Sequence, residues 1–114
     1  KTLLGVDLMC NKKIIAHDVN EKIILEQIKN KKSQIIVTPI GGQGFIFGRG
    51  NQQISPSVIR QIGKENIIVI ATKNKVANLR KLRVDTGDSL LDKNLRGQIE
   101  VITDYNEHNI MNVE

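Results

Sequence analysis

Gln34-Ile35-Ile36-Val37-Thr38-Pro39-Ile40 runs straight into Gly41-Gly42-Gln43-Gly44-Phe45-Ile46-Phe47-Gly48-Arg49-Gly50, and Asn66-Ile67-Ile68-Val69-Ile70-Ala71-Thr72 repeats the apolar half of that pattern. Neither apolar run alternates with polar residues. Both therefore read as strands covered on both faces, the signature of a parallel sheet, and Pro39 marks the end of the first because it cannot donate to a ladder. Between them Ser55-Pro56 is a helix start, with Ser as N-cap and Pro at the first helical position, and Gly63 is its stop.

Outward from this centre the pattern continues. Thr2 to Val6 is a mostly apolar run closed by Asp7, and Ile14 to Ala16 follows the Asn11-Lys12-Lys13 turn, so the opening reads as a strand with a hairpin partner. Asp18-Val19-Asn20-Glu21 has the spacing of a capping box. The helix that follows carries Ile24, Leu25 and Ile28 on one face and ends over Asn30 to Ser33. A helix is expected over Lys75 to Leu82. Another is capped by Asp88 or Ser89, with Leu90, Leu91 and Leu95 on its face and Gly97 at its C-cap. Gln98 to Thr103 is a further strand, with Asn109 to Val113 as its hairpin partner. Strands alternating with helices predict an α/β fold: an open, mainly parallel sheet with helices on both faces, right-handed crossovers and a C-terminal hairpin. With no internal repeat and no low-complexity linker, residues 1–114 form a single domain.

The composition supports a folded domain. Eighteen Ile, 9 Val and 9 Leu suffice for one core, and charged residues make up an ordinary 25%. The single Cys10 excludes an internal disulfide framework and a multi-cysteine zinc site, and fits a reducing, cytoplasmic setting. No apolar run is long enough to span a membrane, and no signal segment opens the chain. It starts at Lys1 on a strand-like run, which reads as a cut inside a longer protein. The formal charge of +5 suits an anionic partner. Nucleic acid is not expected, because the cations are dispersed and Phe45, Phe47 and Tyr105 are the only aromatic residues.

In an open α/β sheet, ligands gather beyond the carboxyl ends of the strands. That rule selects Asp7, then Gly41, Gly42, Gln43 and Gly44, then Thr72, Lys73 and Lys75, and last Asp104. Bare backbone flanked by lysines and aspartates suits a phosphate-bearing or sugar-phosphate ligand, and charged residues also mark strand ends simply by being exposed. Five glycines in the ten residues 41–50 imply positive φ or close backbone approach. The segment contains G-x-G-x-x-x-G, yet Phe45-Ile46-Phe47 stands where a dinucleotide fingerprint would open a helix, so these apolar residues plug the loop into the core. Arg49, with Asn51, Gln52 and Gln53, forms a donor cluster that either binds a carboxylate or phosphate or satisfies backbone carbonyls in a tight loop. Asp85-Thr86-Gly87 has the aspartic-protease triplet, but too little chain follows it for that all-β fold. Asp85 and Asp88 read as caps of a turn and a helix, with Mg²⁺ beside a phosphate as the alternative. His17, His108 and Cys10 share no metal-ligand spacing, so no metal site is expected, and no Ser or Cys sits in a nucleophile-elbow context.

Thr2 to Asp7, Asp18 to Glu21, Ile36 through Pro56 and Leu82 to Asp88 together resemble the carboxyl-terminal part of the ATP-NAD kinase-like proteins, including the acetoin-catabolism-type members. The resemblance runs nearly the whole length. It implies a parent that phosphorylates NAD with ATP to give NADP, with ATP, NAD and Mg as the parent's cofactors and an upstream kinase domain as this chain's partner. The family's Gly-Gly-Asp-Gly loop has no counterpart in this chain. No cofactor is therefore assigned to it alone, and it is expected to be inactive in phosphoryl transfer by itself. The strand-helix order is also similar to the phosphosugar-binding folds of ribose-5-phosphate isomerases and sugar-phosphate-sensing regulators.

The expectation is a carboxyl-terminal domain that completes a nucleotide or phosphosugar pocket through Asp7, Gly41 to Gly44, Arg49, Asn51, Lys75, Asp85 and Asp88. The alternative is a noncatalytic regulatory or oligomerisation module with a sugar-phosphate-isomerase-like fold, packing its glycine loop against the upstream domain or a second copy. Exposed Phe45 and Phe47 would favour that module.

Overall fold

The computed structural model describes residues 5–114. The first strand expected from the sequence lies partly outside these residues. The described part, Gly5 to Asp7, is not strand. The opening hairpin falls later, as β1 (Leu8–Cys10) against β2 (Lys13–Ala16). Asn11 and Lys12 join them with φ of 51° and 67°, the double left-handed conformation that a tight hairpin turn requires.

Helix α1 (Glu21–Ile28) begins two residues later than a capping box at Asp18 would place it. Asn20 is the N-cap, its Oδ1 accepting the Ile23 amide at 2.9 Å. Asp18 is instead held left-handed, at φ 49°, with its amide donating to Asp7 Oδ1. The contact that displaces it is tertiary, so the local pattern carries no trace of it.

The central sheet follows. Strand β3 (Ile35–Val37) is succeeded by β4 (Phe45–Phe47), α2 (Pro56–Ile62), a short 3₁₀ turn and β5 (Ile67–Ile70). Next come α3 (Lys73–Asn78), β6 (Arg83–Val84), α4 (Ser89–Leu95), and the hairpin of β7 (Gly97–Asp104) and β8 (Glu107–Val113). Ser55 caps α2 with its side chain and Gly63 ends it, as the sequence reading has it. The four-stranded sheet has the order β3-β5-β7-β8, and β1-β2 and β4-β6 form separate two-stranded sheets. β3-β5, β5-β7 and β4-β6 are parallel, while β7-β8 and β1-β2 are antiparallel. The fold is α/β, but the expectation of a mainly parallel sheet is corrected to mixed sheets. Two hairpins supply the antiparallel pairs, and β4-β6 forms a small sheet that the sequence reading lacks.

Cover on both faces is corrected as well. Register places Val37, Val69 and Val101 on one face, where Val69 and Val101 are completely buried. Ile24 and Ile28 of α1, Val58 and Ile59 of α2 and Leu91 and Leu95 of α4 join them in one core. The other face carries Ile36, Ile70, Ile102 and Ile110, exposed at 59%, 39%, 42% and 62%. Topology explains the difference. The order β3-β5-β7 runs in one direction, and right-handed crossovers between strands added in one direction fall on the same face.

Among the described residues no helix is long and apolar enough to cross a membrane.

Candidate functional site

Thr38, Pro39 and Ile40 leave the carboxyl end of β3, and the chain then folds back on itself. The Ile40 amide donates to the Phe45 carbonyl at 2.7 Å, which closes the Gly41 to Gly44 loop. Gly41 and Gly44 have φ of 67° and 77°. A Cβ at Gly44 would stand 2.8 Å from the Lys81 carbonyl oxygen, so at this position glycine answers both conformation and space. Gly41, Gly42 and Gln43 face solvent. Lys75, on the first turn of α3, donates its Nζ to the Gly41 carbonyl at 2.8 Å. The β3 loop and the β5 crossover therefore meet at one rim of the sheet.

A cleft of about 180 Å³ opens beside this loop, lined by Asp7, Thr38, Ile40, Gly50 and Asn51 among others. Asp7 reaches it from the segment before β1 rather than from the end of a sheet strand. Asp7 Oδ1 accepts the Asp18 amide at 3.0 Å and Oδ2 lies 3.3 Å from His17 Nδ1. The Asp18 hydrogen bond, with His17 adding to it, holds this carboxyl below its ordinary range. Asn51 is buried, and both ends of its amide are committed. Nδ2 donates to the Ile46 carbonyl at 2.8 Å and Oδ1 accepts the Gly48 amide at 3.1 Å. It fastens the loop to itself.

Phe47 and Ile46 are fully inside the core, and Phe45 is half-buried with the Arg49 guanidinium 4.8 Å above its ring. The apolar triplet plugs the loop into the core as expected, and the exposed Phe45 and Phe47 that would favour an assembly module at this loop are not found. Arg49 also pairs with Asp85, Nε to Oδ2 at 3.4 Å. The Asp85 amide donates to the Phe47 carbonyl, so β4, β6 and their flanks carry Arg49 and Asp85 together. Gly48 lies against this seam: a Cβ there would fall 1.9 Å from the Asp85 carbonyl oxygen.

Asp88 turns elsewhere. It caps α4, its Oδ1 accepting the Leu90 and Leu91 amides at 3.1 Å each, while Oδ2 pairs with Arg60 of α2. The Leu91 amide first and Arg60 second hold its carboxyl below the ordinary value of 3.8. Thr86 is tied to Asp92, Oγ1 to Oδ1 at 2.6 Å, so Asp85-Thr86-Gly87 is a braced helix approach. Among the described residues no group of three or more His, Cys, Asp or Glu converges as a cation site.

At the same rim Lys73 Nζ lies 2.8 Å from Glu107 and 3.9 Å from Asp104. Glu107 raises the lysine above its ordinary value. The sequence reading leaves out Thr38, His17 and Glu107. Thr38 follows directly from the carboxyl-end rule, whereas His17 and Glu107 matter through their contacts with Asp7 and Lys73, which no local motif signals. A larger open hollow of about 460 Å³ lies between α3 and β8, lined by Val76, Arg80, Gln98 and Asn109 among others, and contains none of the loop residues.

Residues 1–113 match the family described as ATP-NAD kinase C-terminal domain. No curated protein matches the chain, and no solved structure does.

Proposed function

The chain belongs to the ATP-NAD kinase C-terminal domain family, and from that premise we propose that it supplies one wall of a nucleotide- or phosphosugar-binding pocket in a longer kinase polypeptide. Two observations support it, an acid in a cleft at the foot of the glycine loop and a cation bound to the first carbonyl of that loop. Asp7 lines a cleft with Ile40, and the next residue's carbonyl holds Lys75.

The chemistry divides accordingly. The ionised Asp7 accepts hydroxyl groups of a ribose or sugar. The exposed Gly41 to Gln43 backbone and Lys75 face the phosphate, with Lys75 exchanging its Gly41 carbonyl for a phosphate oxygen. Arg49 keeps the loop in shape from the Asp85 side. A drug-sized ligand occupies roughly 300–1,000 Å³, so a cleft of about 180 Å³ takes a fragment of ATP or NAD, and the remainder of the pocket belongs to the rest of the polypeptide. A bound ATP supplies the phosphoryl group in such an enzyme. The donor set of the described residues fits the hydroxyl and phosphate portions and not a magnesium cage, so no metal and no transfer step are assigned to them.

Calorimetric titration of the full kinase polypeptide with NAD, ATP and a sugar-phosphate panel tests this. Lys75→Ala and Asp7→Asn weaken binding of at least one ligand by about tenfold, the scale of one lost charge-assisted contact. Affinities unchanged for every ligand in both variants would remove the proposal.

A further inference from the structure

The open sheet face bears Ile36, Ile70, Ile102 and Ile110, with Ile68 half-buried among them. Register sets Glu100 opposite Ile110 and His108 opposite Ile102 on the same face, and His108 Nε2 lies 3.8 Å from Glu100 Oε1. The surface is therefore a four-strand-wide apolar field with one acid–imidazole pair inside it. Scattered apolar residues on a surface need no explanation, but a contiguous field of this kind marks a contact.

We infer that this face is the docking surface for an amphipathic helix from the part of the kinase polypeptide that precedes this domain. Three observations converge on that occupant. First, all-parallel sheets are covered on both faces, and three of the four strands of this mixed sheet, β3, β5 and β7, form a parallel block with one face bare. Second, right-handed crossovers in the one-directional order β3-β5-β7 can reach only the face already covered. Cover for the other face from the same polypeptide would come from chain added on the β3 side in the opposite direction. Among the described residues β3 pairs with β5 alone. Third, the family is described as the carboxyl-terminal domain of a kinase, which places more polypeptide before it.

A second copy is the competing occupant. It would stack one sheet face on another, which is the habit of antiparallel sandwiches, whereas helices cover parallel sheets. The helix that fits has Leu, Ile or Val at three- and four-residue spacing, and one polar residue set to meet Glu100 and His108.

The experiment uses the full kinase polypeptide with Cys10→Ser and its other reactive cysteines replaced. Single reporters are introduced as Ile70→Cys, Ile102→Cys and Ile110→Cys, with Leu90→Cys on α4, 76% exposed, as the open reference. A helix on the face slows maleimide labelling at the three reporters by about tenfold or more relative to Leu90→Cys, because reaction then waits for local opening. Labelling within about threefold of the reference at all of them leaves the face bare and overturns the inference. Protection that vanishes on dilution, together with a dimer in sedimentation, assigns the face to a second copy and overturns it equally. The three positions are surface sites in the domain, so their substitution leaves the core intact, and labelling is read without any nucleotide. The result is thus independent of whether the pocket binds its ligand.

Discussion

Val37, Val69 and Val101 stand beneath helices, while Ile36, Ile70 and Ile102, one position along on the same strands, stand in water. The residue types hardly differ. What separates the two faces is the direction in which strands are added, because successive crossovers of one hand return to one side. Apolar residues on both faces of a strand thus do not by themselves say which face the chain covers with its own helices.

The sharpest way to break that comparison is to remove a large buried side chain and then an equivalent open one. Phe47→Ala, from a completely buried position, lowers unfolding free energy by about 3–5 kcal/mol in urea titrations. Ile110→Ala, on the open face, changes it by no more than about 0.5 kcal/mol in this chain. Equal losses would mean that the two faces are energetically alike. Next in size is Gly48→Ala, where positive φ and the Asp85 carbonyl leave no room for a Cβ, with a cost of at least about 2 kcal/mol. Gly42→Ala, where nothing lies within 4 Å and φ is unexceptional, serves as its control and costs much less.

Asn51→Ala strips the Gly48 amide and the Ile46 carbonyl of their partner and costs about 1–3 kcal/mol. If the proposed pocket forms at the cleft that Asn51 lines, binding falls together with stability. The smallest effect is electrostatic. Asp88 has a depressed carboxyl in the folded chain, so the unfolded state takes up its proton first as pH falls. Its contribution is complete above the ordinary value of 3.8 and disappears as pH drops through the lower folded value. Asp88→Asn keeps a good cap but cannot titrate, and flattens the acid limb of a thermal-melt series between about pH 5 and 2.

Much of this was legible where the signal is local. Ser55-Pro56 and Gly63 bound α2 as expected, Ile67 to Ile70 form β5, and the closing hairpin pairs Gln98 with Asn112. Asp88 is the α4 cap, although Leu90 turns out to be exposed rather than part of the apolar face. What escaped is nonlocal. Phe45 to Phe47 is too short to show a period and gains its strand character from Arg83 and Val84. The Asp18 box failed because Asp7 claims that amide. For the candidate site, the strand-end rule located Lys75 and Gly41, which touch, while Asp7, expected at the end of a first strand, shares a cleft with Asn51 from a segment that is not strand. It could not say that Asn51 is consumed within its own loop or that Asp88 faces Arg60.

The last residues of the chain have a role in the order of assembly. Glu114 donates its amide to the Leu82 carbonyl and its own carbonyl accepts from Val84, tying the end of β8 to the strand that braces the glycine loop through β4. On a ribosome, that brace cannot form until residue 114 has left the exit tunnel. Until then β6 is held only by the Arg83 and Asp85 amides on the Gly44 and Phe47 carbonyls, so a nascent chain stalled short of β8 presents β4 and β6 paired but without the tie to residue 114.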